Sequence, residues 1–209
     1  MTTNHRLNTK NLSGIILSGG LNSRMFGKNK SFLHLGRTTF LDRLLSTLKP
    51  LFSELILVTR DPDLYTLGEL KVVRDIFDIR SALSGVHAGL VHARQQHAFV
   101  VACDTPLLKK ELVERLILEG YEDDEVVVPR KGKYLEPLCA VYSKSCIPHI
   151  ETLLEDKKVK ISNLFHLVRT REVDAFTINQ EDPDLKSFIN INTPDDLRVI
   201  QESLLESPP

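Results

Sequence analysis

Ser13-Gly-Ile-Ile-Leu-Ser-Gly-Gly-Leu-Asn-Ser-Arg-Met-Phe-Gly-Lys-Asn-Lys30 is the stretch around which the chain is organised. A short apolar run, Ile15 to Leu17, empties into Gly19-Gly20, and Arg24, Gly27, Lys28 and Lys30 follow before apolar residues resume at Phe32. Glycines let backbone N–H groups approach an anion closely, and the basic side chains neutralise its charge, so a buried strand leading into such a loop suits phosphate. A tight strand-to-helix turn with solvated charges would use the same residues, and the glycines alone do not choose between the two. Two familiar phosphate loops are excluded. Gly27-Lys28 is followed by Asn29 where a P-loop needs a hydroxyl, and no Gly-x-Gly-x-x-Gly is present.

Outward from this stretch, apolar runs alternate with helical patterns. Strands are predicted at 14–17, 55–59, 70–73, 98–103, 125–128, 138–142, near 171–173 and at 186–191. Helices are predicted from Thr39 to before Pro50, after a loop at Ser81-Ala-Leu-Ser-Gly85 to about Arg94, from Pro106 to Glu119, after Ser145, near 161–167, and from Pro194 to Leu205. The alternation implies an α/β fold, a mainly parallel sheet with helices on both faces. Ligands of such sheets sit outside the carboxyl ends of the strands. The glycine loop, Asp75 and Asp104 all leave strands at that edge, so three charged sites far apart in sequence converge on one rim.

Asp104 follows the most apolar strand. Magnesium takes one or two carboxylates plus water and phosphate oxygens, which makes Asp104 the first choice of metal ligand. Aspartate before Thr105-Pro106 is also a good helix N-cap. Asp75 is either a ligand contact at this rim or a solvated turn residue, with Asp78 as its neighbour and rival. Asn190 and Asn192 sit in Phe188-Ile-Asn-Ile-Asn-Thr-Pro-Asp-Asp-Leu197, where ordinary capping chemistry also places asparagine. The basic turn Arg130, Lys131, Lys133 would attract an anion or form a solvated face. His87, His92 and His97 recur every five residues, a spacing that scatters them around a helix.

Composition narrows the class. The chain has 209 residues, 42% hydrophobic and 26% charged, with net charge -1, so no bulk field draws it to nucleic acid or membrane. The expected organisation is a flexible extension over 1–12 and a single domain over 13–207. Cys103, Cys139 and Cys146 have no metal-ligand spacing, and their odd number suits a reducing cytoplasm, the expected location. The polar N-terminal segment resembles neither a signal peptide nor a membrane anchor.

The pattern Leu17-Ser-Gly-Gly-x-x-x-Arg24-Met with Gly27 and Lys30 resembles the signature loop of the molybdenum cofactor guanylyltransferases, roughly Leu-Ala-Gly-Gly-x-x-x-Arg-Met-Gly-x-x-Lys. Phe26 stands where that pattern has glycine. Cys103-Asp-Thr-Pro106 resembles the family's metal-binding segment, Ser81-Ala-Leu-Ser-Gly85 its Gly-Pro-Leu-Ala-Gly turn, and Phe188 to Leu197 its Phe-Val-Asn-Val-Asn-Thr-Pro-Glu-Glu segment. The resemblance spans Gly14 to about Leu205. It implies a Rossmann-like nucleotidyltransferase fold, GTP as donor, magnesium as cofactor and molybdopterin as acceptor, with molybdoenzymes or other cofactor-biosynthesis proteins as partners. It assigns Arg24 and Lys30 to catalysis, and Leu17, Ser18, Gly19, Gly20, Lys30, Asp75 and Asp104 to the nucleotide. Asp104 takes the metal, and Asn190 and Asn192 the acceptor. Related enzymes using CTP or another small phosphate acceptor, and a non-catalytic pterin carrier, are the alternatives.

Overall fold

The computed structural model describes residues 4–19, 24–25, 28–65, 68 and 70–206. Its centre is a sheet of eight strands: β1 (Leu12–Ser18), β2 (Leu55–Thr59), β3 (Lys71–Val73), β4 (His97–Ala102), β5 (Val126–Lys131), β6 (Tyr134–Leu135), β7 (Cys139–Ser143) and β8 (Thr170–Val173). The order is β6-β5-β7-β4-β1-β2-β3, with β8 also on β5. β4, β1, β2 and β3 run parallel, with Ile15 opposite both Ile56 and Val100. β7 is antiparallel to β4 and β5, and β8 is parallel to β5. The sheet is therefore mixed and mostly parallel, flanked by helices on both faces.

The period of two along the central strands assigns each side chain to a layer. Leu12 and Ile16 of β1 and Phe99 and Val101 of β4 join a core with α1 (Phe40–Leu48) and α3 (Lys110–Glu119). Ile15 and Leu17, with Ala98 and Val100, face the opposite way into a core with α2 (Ala82–His92) and α4 (Ile147–Glu155). Because both faces are covered, all of β1 is buried, which explains why its sequence reads as a run rather than an alternation. Helix α2 lies so close that a Cβ on Gly89 would stand 2.7 Å from Ile15 Cγ2, so only glycine fits there. Helix α1 begins with the predicted capping box between Thr39 and Asp42.

A third, smaller cluster braces the active edge. Leu33, Leu35, Phe40 and Ile191 pack with Leu107 and with Leu197 and Ile200 of α6 (Pro194–Glu206). The loop after β1 and the start of the C-terminal helix thus share one apolar seam.

Several expectations need correcting. Residues 186–191 are not a strand: Lys186–Phe188 is one 3-10 turn and the rest is irregular. The helix predicted from Pro106 starts at Lys110. A short helix, α5 (Ala175–Glu181), was not expected, because of its apolar residues only Ile178 is buried and Phe176 faces outward. Within the segment over 1–12, where described, the Leu7 N–H donates to Gly120 O at 2.9 Å, the Leu7 side chain is buried, and Leu12 opens β1. Among the described residues no helix is long and apolar enough to cross a membrane.

Candidate active site

Because β1 to β4 are parallel, their carboxyl ends share one edge. Just beyond that edge lies a cleft of about 390 Å³, whose lining includes Leu17, Gly19, Lys30, Asp75, Asp104, Asn190 and Asn192. Gly20 and the side chain of Arg24 lie outside the described residues; the Arg24 backbone pairs with Asn29, and Met25 with Lys28, as a small antiparallel hairpin.

Lys30 is the floor of the cleft. Its side chain is 1% exposed, yet its ammonium donates to Asn192 Oδ1 at 2.6 Å and stands 3.4 Å from Asp104 Oδ2. A buried cation is stable only when paired and hydrogen-bonded, and here one partner comes from β4's loop and the other from the segment before α6. The turn that carries Lys30 is fixed from below. Asn29 Oδ1 accepts from the Ser31 N–H at 3.0 Å, and the Tyr65 hydroxyl lies 2.6 Å from Ser18 Oγ and donates to Ser31 Oγ at 3.1 Å. Asn29 Nδ2 donates to the Tyr65 oxygen at 2.9 Å, and Phe32 stacks on the Tyr65 ring at 5.0 Å. Ser18, which the resemblance assigns to the nucleotide, has its side chain 2% exposed within this cluster.

Asp104 is not an N-cap. Helix α3 starts after Lys109, while Thr105 Oγ1 donates to Ala102 O at 2.8 Å in the intervening turn. The Asp104 backbone oxygen accepts from the Ile191 N–H at 2.8 Å, and its Oδ1 is buried without a hydrogen-bond partner among the described residues. A carboxylate oxygen left this way asks for an ion or a water. Among the described residues no group of three or more His, Cys, Asp or Glu is placed to hold a metal, so an ion here would have Asp104 as its main protein ligand. That donor set fits magnesium, which keeps waters and substrate phosphate oxygens.

Asn192 uses its two ends differently. Its N–H and that of Thr193 donate to Asp196 Oδ2 at 2.9 and 2.8 Å, the capping arrangement of α6, which also holds the Asp196 carboxyl below the ordinary range. Its side chain is left to Lys30. Asp75 faces the far end of the cleft, where burial raises its carboxyl above the usual range although Arg60 nearby and Ser84 Oγ, at 3.5 Å, pull the other way. Asp78, its rival, is an exposed carboxylate 2.6 Å from Arg60 Nη2 and does not line the cleft. A raised folded-state value means that ionised Asp75 costs stability above that value, and the cost fades as the pH falls toward the unfolded value. Asp75→Asn should therefore melt higher than wild type at neutral pH, with the gain vanishing in acid. Thermal unfolding across pH 3–8 checks it, and a pH-independent difference would refute the burial argument.

Residues 14–173 match the MobA-like NTP transferase domain, most of the chain. The chain belongs to the MobA-like NTP transferases. A molybdenum cofactor guanylyltransferase from Desulfosudis oleivorans is 39% identical over 194 residues, covering 92% of this chain and 96% of that protein. The crystal structure of molybdopterin-guanine dinucleotide biosynthesis protein A from Archaeoglobus fulgidus superposes with a TM-score of 0.82 at 28% identity, covering 94% of this chain and 100% of that one. A Mycobacterium tuberculosis protein solved in complex with manganese shares the fold, at TM-score 0.64 and 20% identity, over 93% of this chain and 100% of its own.

In this MobA-like nucleotidyltransferase, Leu17, Gly19, Lys30, Asp75, Asp104, Asn190 and Asn192 share one cleft. Sequence reasoning missed Arg60 and Arg80, which line the Asp75 end. Arg60 directly follows β2, so its position past a parallel strand was a usable signal. Tyr65, which sets the Lys30 turn, left no such signal. The basic turn is largely self-neutralised: Arg130 pairs with Glu172 at 2.5 Å and Lys131 with Glu136 at 3.4 Å.

Proposed function

We propose that this MobA-like enzyme transfers GMP from GTP to the terminal phosphate of molybdopterin, forming molybdopterin guanine dinucleotide and releasing pyrophosphate. The observation that carries the proposal is the buried Lys30 ammonium shared by Asp104 and Asn192 on the cleft floor. The guanylyltransferase and molybdopterin-guanine dinucleotide names of the relatives supply the substrates.

A phosphate monoester is already largely dianionic near neutral pH, so the acceptor needs no strong general base. Positioning and charge neutralisation remain for the protein. Lys30 offers a point charge to the transferring phosphates, and Arg24, on the hairpin of the same loop, is assigned the planar, bidentate contact that lysine cannot make. Asp104, whose Oδ1 is left unpartnered, would hold magnesium, which would supply Lewis-acid neutralisation of phosphate charge; the manganese complex of the M. tuberculosis protein fits a divalent ion in this fold. Gly19 and Leu17 border the phosphates, Asp75 with Arg60 the nucleoside end, and Asn190 and Asn192 the acceptor. The three free, buried thiols suit action in the cytoplasm, where molybdoenzymes receive the product.

The test is to incubate the protein with molybdopterin, magnesium and GTP, CTP or ATP in turn, and to identify products by mass spectrometry. Guanine dinucleotide and pyrophosphate with GTP alone are expected. A cytosine dinucleotide instead would move the chain to a CTP-using enzyme, and no pyrophosphate with any triphosphate would favour a pterin carrier.

A further inference from the structure

Two separate pieces of chain must meet for the cleft to exist: the turn after β4, with Asp104, and the segment 182–192 that ends in Asn192. Behind them, away from the cleft lining, lies a buried ionic contact that the transfer itself does not use. Asp182 is 0% exposed, and its Oδ1 stands 3.0 Å from the ammonium of Lys109, which closes the Asp104 turn. Its Oδ2 accepts from the Ser187 N–H at 2.7 Å, and Ser187 Oγ accepts in turn from the Lys109 N–H at 3.0 Å. Burial pushes the Asp182 carboxyl up, but the Ser187 N–H and Lys109 outweigh it and keep it below the usual range.

We propose that Asp182 and Lys109 form a clasp that sets the spacing between Asp104 and Asn192, making Asp182 a positioning residue for the acceptor side of the reaction. Three links tie the two pieces in parallel: the Asp182–Lys109 ion pair, the Lys109–Ser187 hydrogen bond, and the Ile191 N–H on Asp104 O at 2.8 Å. The segment between is held in an unfavourable shape. Leu185 sits at φ 53°, in the left-handed region that leucine rarely occupies, so its contacts rather than its preference fix the turn. Phe188 is buried in the core that includes Leu108 and Leu112, and Ile191 in the seam with Leu107, so a shift at Asp182 is passed along the segment to Asn192. Asn192 is also the acceptor of the Lys30 hydrogen bond, but the Lys30 turn is held from its other side by Asn29, Tyr65 and Ser31, so a displacement falls on the asparagine rather than on the ammonium.

The inference rests on the assignment of Asn190 and Asn192 to the acceptor. Its test is steady-state kinetics of Asp182→Asn, Lys109→Met and Lys109→Arg with both substrates varied, at a temperature where thermal melts show each variant folded. In Asp182→Asn and Lys109→Met the molybdopterin KM should rise about tenfold while GTP affinity stays within about twofold, the size expected of a sub-ångström misplacement. Lys109→Arg, which keeps the charge, should recover most of the loss. Equal weakening toward both substrates, or a lowered melting temperature with both constants unchanged, would overturn the clasp. If Asp182→Asn does not fold, Ser187→Ala removes one link without stranding a charge and should show the same substrate-selective change in smaller degree; its absence there would also overturn the proposal. Asn192→Ala separates the two ideas. An unchanged molybdopterin KM in that variant refutes the acceptor assignment, whereas a raised one beside an unchanged Asp182→Asn refutes the clasp alone.

Discussion

Replacing Lys30 by alanine is expected to leave a folded protein that turns over about a hundredfold more slowly, or worse, as when other preorganised electrostatic donors are deleted. The ammonium is 1% exposed and already bound to Asn192 and Asp104 before any substrate arrives, so its position costs no reorganisation when charge moves to the leaving pyrophosphate. Removing it leaves Asp104 without its cation. The Asp104 side chain is 21% exposed, so the stability loss should fall below the roughly 3–5 kcal/mol of a fully buried broken pair. Lys30→Arg is expected to fail as well, since a planar guanidinium does not fit a hole shaped for a compact ammonium. Pyrophosphate release at saturating GTP, with a thermal melt of each variant, is the measurement. Near-normal turnover in Lys30→Ala would remove Lys30 from the chemistry.

Much of this site was legible in the sequence, for one physical reason. In a parallel sheet the residue after each strand lands on the same edge, so locating β1, β3 and β4 also located the glycine loop, Asp75 and Asp104. Strand β2 was readable to the residue because Leu55-Ile-Leu-Val-Thr59 is apolar on both faces and bounded by polar neighbours. The link between Lys30 and Asn192 was not readable, since it joins residues 162 apart and no local period records it; only the family resemblance had placed both asparagines at the site. The strand predicted over 186–191 fails for a related reason. Phe188 and Ile191 are apolar because they enter two different clusters, not because they share a sheet face. Residues 105–109 look like a helix start after Thr105-Pro106, but Thr105 folds back on Ala102 and Lys109 is held by Ser187, which delays α3 to Lys110. The Ser18 hydroxyl left no signal either: beside a glycine loop that suits phosphate, it finds Tyr65 and Ser31 underneath.

Asp104→Asn should be the sharpest single test of how the site works, with turnover falling by about two to three orders of magnitude at fixed magnesium. The substitution keeps the shape of the side chain and an oxygen for Lys30, so the backbone contact of Asp104 O with Ile191 and the turn to α3 are undisturbed. What it removes is the full charge on the buried, unpartnered Oδ1, the feature that fits a divalent ion. Two signatures follow. The magnesium concentration for half-maximal rate should rise, and GTP should raise the melting temperature of wild type far more with magnesium than with a chelator, a difference lost in Asp104→Asn. Had Asp104 been a helix cap, asparagine would have replaced it with almost no effect, since both cap well. The start of α3 at Lys110 already separates the carboxylate from that role. A variant that retains wild-type turnover and wild-type magnesium dependence would remove Asp104 as the ion's protein ligand, and the charge on the phosphates would then have to be met from elsewhere in the cleft.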